Sequence, residues 1–87
     1  MSVAEDFAKA QEEVKTLTKR PSDQQFLDLY SYFKQATEGD NTTSKPGMFD
    51  IKGQFKWNAW KDKAGLSKEQ AQQKYVDLVN SLLQTHR

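Results

Sequence analysis

The segment SDQQFLDLYSYFKQATEG, residues 22–39, contains a complete set of helix signals. It begins with a capping box, in which a serine is followed three residues later by a glutamine, and this pattern is typical of a helix start. It ends on Gly39, the residue type that most often terminates a helix. Between these ends the apolar side chains recur at helical spacing, at Phe26, Tyr30 and Phe33. The stretch therefore predicts an amphipathic helix.

The same signals predict three further helices on either side of this one. Capping boxes begin at Ser2 and Ser67, and Asp50 is a suitable N-cap for the helix between them. No segment alternates apolar and polar residues long enough to indicate a strand. Residues 40–47 form a polar connection that is long enough to cross a bundle. The sequence predicts an all-α bundle of four helices in one domain, residues 1–87. The predicted helices span about residues 3–17, 22–38, 51–63 and 67–86.

Composition excludes several classes of function. Thirteen basic residues nearly cancel twelve acidic ones, and a formal net charge of +1 lacks the broad basic field that binds nucleic acid. The chain has no cysteine and a single histidine, so metal sites and catalytic triads lack their usual side chains, and no cofactor is indicated. An acidic start and the absence of a long apolar run indicate neither a secretory signal nor a transmembrane segment. We expect a cytoplasmic, monomeric, non-catalytic protein with at most transient membrane contact.

Lys34 is the one basic residue of the predicted helix 22–38, and it lies on the rim of that helix's apolar face. One interpretation is a lysine whose stem covers apolar surface while its ammonium group stays in water and pairs with Glu38. The other is an anion or nucleotide site, because Tyr30 offers a ring and a hydroxyl on the same edge. From spacing alone the first interpretation is favoured.

The predicted helix 51–63 carries two apolar sectors, one with Ile51 and Phe55 and the other with Trp57 and Trp60. If one sector packs on the bundle, the other needs a second surface to cover it. One interpretation is that a loop covers the tryptophans and that the lysines between the sectors are solvated, which is favoured for any single residue. The alternative is a ligand with apolar and anionic parts that lies along these lysines. They are Lys52, Lys56 and Lys63.

Two long motifs occur in the middle of the chain. The first is YSYFKQATEGD, residues 30–40, and the second is KPGMFD followed by KGQFKWNAW, within residues 45–60. Together they resemble the acyl-CoA-binding protein family, also called the diazepam-binding inhibitor family. The resemblance runs without a gap from about Phe7 to Leu83. It implies a four-helix up-down-down-up bundle, with a long loop between helices 2 and 3, as a single acyl-CoA-binding domain.

The resemblance also implies a site for long-chain fatty acyl-CoA esters. In proteins of this family lysines and a tyrosine hold the adenosine 3′-phosphate, rings contact the adenine, and the acyl chain lies in a groove between helices. Phe33 stands where the family often has tyrosine, and Phe26 and Phe55 are bulkier than the usual occupants of their positions. The matching acyl-CoA-binding positions are Lys15, Tyr30, Phe33, Lys34, Lys56 and Tyr75, and the matching acyl-groove positions are Phe26, Leu27 and Phe55.

The function implied by the resemblance is that of an intracellular carrier and buffer of the acyl-CoA pool, with no reaction of its own. Two alternatives belong to other classes. One is a helical protein-interaction module whose partner uses exposed tryptophans. The other is a signalling peptide precursor. Neither alternative depends on acyl-CoA, so ligand binding separates them from the carrier.

Overall fold

A computed structural model describes residues 2–87, and within that range the regular structure is entirely helical. The four α-helices confirm the predicted all-α bundle. A 3₁₀ turn, Val14–Thr16, continues the first helix, so the last part of the predicted segment 3–17 is wound more tightly than an α-helix. The α-helices are α1 Val3–Glu13, α2 Asp23–Glu38, α3 Ile51–Lys61 and α4 Lys68–Thr85.

The helix starts follow the capping chemistry of the sequence. Ser22 and Ser67 each form a full capping box with the glutamine three residues later. Ser2 accepts from the amide of Glu5, but the Glu5 carboxylate returns to the serine hydroxyl instead of the backbone. At α3 the Asp50 carboxylate accepts from the amide of Gly53 at 3.0 Å. Short-range hydrogen bonds therefore set all four starts.

Contacts at the helix ends establish the directions of α1, α2 and α4. Thr18 follows the 3₁₀ turn that continues α1, and its amide donates to the carbonyl of His86, just after α4, at 2.9 Å. The helices α1 and α4 therefore run in the same direction. Near the end of α2, Gln35 Nε2 donates to the carbonyl of Leu66, just before α4, at 2.9 Å. The helix α2 therefore runs antiparallel to α4.

The helix α3 runs parallel to α2, because Trp60 near its end donates from Nε1 to the carbonyl of Gly39 at the end of α2, at 2.8 Å. Parallel neighbours need a connection that returns along the bundle, and residues 39–50 supply it. The order is thus up-down-down-up, as the resemblance implies. Gly39 has φ +81°, a conformation that favours glycine and allows α2 to end sharply there.

The hydrophobic core lies between α1, α2 and α4, and α4 is its centre because it packs against both other helices. The apolar side chains that recur at helical spacing along α4 are all buried, namely Ala71, Tyr75, Val79 and Leu82. The buried core residues are Phe7, Ala10, Leu29, Ala36, Ala71, Tyr75, Val76, Val79 and Leu82.

The long loop covers the tryptophan sector of α3. Trp60 is buried, and the indole Nε1 of Trp57 donates to the carbonyl oxygen of Thr43 at 3.1 Å. Asn41 is 2% exposed, and its amide group donates to the carbonyl of Trp57 at 3.3 Å while it accepts from the Thr43 amide at 2.9 Å. The interpretation that a loop covers the tryptophans is confirmed.

Asp40 links the end of α2 to the segment before α4. Its Oδ1 accepts from Gln35 Nε2 at 2.8 Å and from the amide of Gly65 at 3.0 Å. These two hydrogen bonds, in that order, and the charge of Lys61 lower the pKa of the Asp40 carboxyl below its ordinary value of 3.8. The ionised form of Asp40 therefore stabilises the folded state.

We expect Asp40→Asn to lower the thermal unfolding midpoint at neutral pH and to make it less dependent on acid. A carboxyl whose pKa is lower in the folded state contributes fully above its ordinary pKa of 3.8, and the contribution disappears as pH falls through the folded pKa. Midpoints measured for both proteins from neutral pH down to about pH 2 should therefore converge. A difference between them that stays constant over this range contradicts the assignment.

Candidate ligand groove

A groove with two compartments runs along one side of α2. The wide compartment, about 530 Å³, lies between α2, the connection from α1, and α4. The narrow compartment, about 290 Å³, lies between α2 and α3. Arg20 and Phe26 line both, so the two compartments adjoin at these side chains. The wide compartment is also lined by Leu17, Lys19, Leu29, Tyr30, Phe33 and Tyr75. The narrow compartment is also lined by Asp23, Leu27, Lys52, Phe55 and Lys56.

The connection between α1 and α2 forms one rim of the groove, and the end of the chain holds it in place. The carbonyl of His86 accepts from the amides of both Thr18 and Lys19 at 2.9 Å. Pro21 then restricts the backbone just before the N-cap of α2. The next side chains, Lys19 and Arg20, are consequently presented on a fixed backbone at the edge of the wide compartment.

Aromatic rings form the floor of the wide compartment. Tyr75 packs edge-on against Phe7 with ring centroids 5.1 Å apart, and Phe33 lies 6.4 Å from Tyr75. The Tyr75 ring is buried, and burial raises the pKa of its hydroxyl above the ordinary value of 10.0. That hydroxyl has no hydrogen-bond partner among residues 2–87, yet it is not sealed in the core. It is a neutral hydroxyl on a residue that lines the wide compartment.

Lys56 lies where the two compartments meet. Its Nζ is 5.2 Å from the ring centroid of Tyr30 and 5.7 Å from that of Phe26, within the range of cation–π attraction. No carboxylate within residues 2–87 forms an ion pair with it. A cation that is held by aromatic faces and has no protein anion is well suited to meet an anionic group of a ligand.

The two other predicted lysines lie outside both compartments. Lys15 forms an exposed ion pair with Glu12 at 3.5 Å on the 3₁₀ turn. Lys34 forms an ion pair with Glu38, and its Nζ lies 4.9 Å from the ring centroid of Trp60. This pairing agrees with the interpretation favoured from spacing, and the binding roles of both lysines stay predictions. The structure brings together the other predicted residues, namely Phe26, Leu27, Tyr30, Phe33, Phe55, Lys56 and Tyr75.

Several groove residues were not found from the sequence. Lys19 and Arg20 lie outside every predicted helix, and their only signal is a basic pair directly before a proline. Lys52 lines the narrow compartment with Lys56, in agreement with the alternative that a ligand lies along the lysines of the predicted helix 51–63. Lys63 does not follow them, because it pairs with Asp28 at 3.5 Å on another face of α2. Of these three lysines, Lys52 and Lys56 line the groove, whereas Lys63, which follows the end of α3, belongs to an ion pair of the bundle.

Other kinds of site leave no sign in the part of the chain that the structure describes. Within residues 2–87 no three His, Cys, Asp or Glu side chains lie together in a way that could hold a metal ion. No helix of the same residues is long and apolar enough to span a membrane. The groove is therefore the feature to which a function is assigned.

The fold and the groove define a class of protein, a four-helix bundle with a groove for a ligand that is anionic in one part and apolar in another. The family described as acyl CoA binding protein matches residues 4–79. The chain belongs to this family.

Relatives and a solved structure agree with that membership over nearly the whole chain. The acyl-CoA-binding protein homolog of Drosophila melanogaster is 56% identical over 81 residues, which are 93% of this chain and 94% of the relative. Acyl-CoA-binding protein homolog 1 of Caenorhabditis elegans is 56% identical over 77 residues, which are 88% of this chain and 90% of the relative. The crystal structure of Oryza sativa acyl-CoA-binding protein 2 matches with a TM-score of 0.91 and 42% identity, covering 95% of this chain and 92% of that one.

Proposed function

We propose that the protein binds long-chain fatty acyl-CoA esters and serves as a carrier and buffer of the acyl-CoA pool. In this proposal it works in the cytoplasm as a monomer, with residues 1–87 as a single binding domain, and catalyses no reaction. The observation that carries the proposal is the position of Lys56, which has no ion-pair partner within residues 2–87 and lines the narrow compartment beside Phe26, a residue shared with the wide one. Family membership indicates the chemistry of the ligand.

Each half of such an ester has a suitable compartment. We assign the nucleotide to the wide compartment, where Lys19 offers positive charge and Tyr75 offers a hydroxyl. Arg20 adds a guanidinium group whose ion pair with Asp23, at 3.8 Å, is exposed. Rings such as Tyr30 are suited to stack on the adenine. The acyl chain is assigned to the narrow compartment, along Leu27, Phe26 and Phe55. Lys56 at the junction then faces the phosphates.

Lys15 and Lys34 remain in the proposed site as residues of its edge. Val14 and Leu17 line the wide compartment, and Lys15 lies between them in the sequence. The Lys15 side chain therefore starts from the same turn of the chain, beside the compartment. Its ion pair with Glu12 is exposed, and exposed ion pairs contribute little to stability. Replacing the Glu12 carboxylate by a ligand phosphate therefore costs little free energy. The Lys34 side chain is less exposed and is held by both Glu38 and Trp60, so it must give up more to reach a ligand.

Titration calorimetry with palmitoyl-CoA and with palmitate tests the proposal. The ester should bind in a one-to-one complex, and palmitate should bind much more weakly because it lacks the nucleotide. The helical interaction module is disfavoured because the loop covers Trp57 and buries Trp60, and it predicts no dependence on a nucleotide. A signalling peptide precursor likewise needs no acyl-CoA. Absence of binding of palmitoyl-CoA would overturn the proposal.

We expect Lys56→Ala to lower the affinity for palmitoyl-CoA by roughly 10- to 150-fold, since a charge-assisted hydrogen bond contributes about 1.5–3 kcal/mol. Folding should be largely unaffected, because the lysine has no ion-pair partner within residues 2–87. Lys63→Ala is the control, as Lys63 follows the end of α3 and lies outside both compartments. Calorimetry measures the affinities and circular dichroism the helix content. An equal loss of affinity for palmitoyl-CoA in the two variants contradicts the assignment of Lys56 to the ligand site.

A further inference from the structure

The turn before α3 exposes three large apolar side chains. Met48 is 77% exposed, Phe49 is 94% exposed and Ile51 is 64% exposed. None of the three lines either compartment of the groove. We call these three residues the apolar tip. Side chains of this kind are normally covered, and a cluster of them marks a surface that meets an apolar partner.

The exposure of the apolar tip is built into the local structure. The carbonyl of Gly47 accepts from the amide of Asp50 at 3.0 Å, which closes a turn with Met48 and Phe49 at its two central positions. The same carbonyl accepts from Gln54 Nε2 at 2.8 Å. Two donors therefore fix one carbonyl, and the turn holds both side chains outward.

The charge around the apolar tip is positive. Between residues 45 and 61 the chain carries four lysines and one acidic residue, Asp50. The Asp50 carboxylate is occupied as the N-cap of α3, where it accepts from the Gly53 amide at 3.0 Å. Lys45 lies three residues before Met48, with its Nζ 5.9 Å from the ring centroid of Trp57. Lys52 and Lys56 line the neighbouring narrow compartment, where they and Arg20 outnumber the one carboxylate, Asp23. Apolar side chains next to lysines are typical of a segment that lies in the interface of an anionic bilayer.

A bilayer suits this surface better than a second protein does. A stable protein interface buries about 800 Å² on each partner and packs its core closely. The apolar tip instead consists of side chains that stand almost free of their neighbours, and Phe49 has only 6% of its surface covered by the protein. Lipid headgroups and chains rearrange around such projecting side chains, whereas a folded protein needs a matching pocket for each.

The apolar tip also continues into the groove. Ile51 and Phe55 are four residues apart on α3 and so lie on the same side of that helix. Phe55 lines the narrow compartment together with Phe26, and both rings are exposed, by 58% and 45%. An acyl chain that moved from a bilayer past Ile51 into the narrow compartment would stay beside apolar side chains.

We propose that Met48, Phe49 and Ile51 insert into the interface of an anionic lipid bilayer and dock the groove against it, where an acyl-CoA ester can enter. The docking itself requires only the apolar tip and the surrounding lysines. Its purpose, the loading of an acyl-CoA ester from a membrane, rests on the proposed function.

Sedimentation with large unilamellar vesicles tests this docking. Vesicles of phosphatidylcholine that contain a quarter phosphatidylserine should bind the unliganded protein, and vesicles of phosphatidylcholine alone should bind it more weakly. The double variant Met48→Ser with Phe49→Ser should bind anionic vesicles at least about tenfold more weakly, since two apolar side chains no longer enter the interface. Lys45→Gln should weaken binding, whereas Lys74→Gln, on the exposed surface of α4, is the matched control that should not.

Calorimetry with palmitoyl-CoA in the absence of vesicles separates the two proposals. The double variant should keep the affinity of the unchanged protein, because the apolar tip lies outside the groove. Vesicle binding without acyl-CoA binding would contradict the proposed function and leave the docking intact. The docking is overturned if the unchanged protein ignores anionic vesicles or if the double variant binds them equally well. It is also overturned if the variant abolishes only self-association in sedimentation velocity, because a second copy then covers the tip.

Discussion

Free CoA is expected to bind at least about a thousandfold more weakly than palmitoyl-CoA, because the acyl chain supplies most of the difference through apolar burial. Each methylene that leaves water contributes about 0.8 kcal/mol, so about six buried methylenes are enough. The narrow compartment offers Phe26, Leu27 and Phe55 as its apolar walls. Each added pair of carbons should therefore tighten binding by roughly tenfold while the chain still enters the compartment.

A chain-length series in calorimetry, from butanoyl-CoA to octadecanoyl-CoA, measures this slope. The affinity should stop rising once the narrow compartment, about 290 Å³, is filled. Phe55→Ala is the informative variant, because removal of that half-exposed ring opens the compartment and should move the plateau to longer chains. Equal affinity for CoA and its palmitoyl ester would contradict the assignment of the acyl chain to this compartment.

The helices could be predicted because their starts depend on neighbouring residues. Ser22 and Ser67 each find a glutamine three positions later, and the hydrogen bonds that result need no other part of the chain. The buried face of α4 could be predicted in the same way, since Tyr75 and Val79 follow helical spacing and both are buried. The helices could therefore be predicted from local patterns, whereas their up-down-down-up order was implied by the family resemblance.

The rim of the groove could not be predicted in the same way. Lys19 and Arg20 are placed by a backbone that is held by the carbonyl of His86, 68 residues from Thr18 in sequence. No local pattern indicates which distant carbonyl will accept such a hydrogen bond. Ligand-facing residues in a connection between helices therefore need the tertiary structure, or a family resemblance that includes them.

The orientation of the Lys34 side chain could not be predicted from the sequence either. Its position on the wheel of α2 fits both a solvated lysine and a ligand contact. In the folded chain the ion pair with Glu38 and the face of Trp60 together hold the ammonium group outside both compartments. The tryptophan comes from another helix, so spacing within α2 had no information about it.

Tyr75→Ala is expected to have the largest effect on stability, a loss of about 3–5 kcal/mol, as is usual when a buried aromatic ring is truncated to alanine. The ring is 6% exposed and contacts Phe7 and Phe33, so its removal leaves a cavity between α1, α2 and α4. Tyr75→Phe keeps the ring. It should change the free energy of unfolding by no more than about 1 kcal/mol, because the hydroxyl has no protein partner within residues 2–87 to leave unpaired.

Binding by these variants decides whether Tyr75 is also a ligand contact. Phe7→Ala is the matched control, since Phe7 packs edge-on against Tyr75 in the same core but does not line the groove. Urea unfolding and titration with palmitoyl-CoA are measured on each variant, and affinities are corrected for the folded fraction. We expect Tyr75→Phe to weaken binding modestly and Tyr75→Ala strongly, whereas Phe7→Ala loses comparable stability with little loss of intrinsic affinity. If folded Tyr75→Ala binds as the unchanged protein does, then Tyr75 belongs to the core alone. The donor to the ligand phosphate must in that case be sought among the lysines and the arginine of the rim.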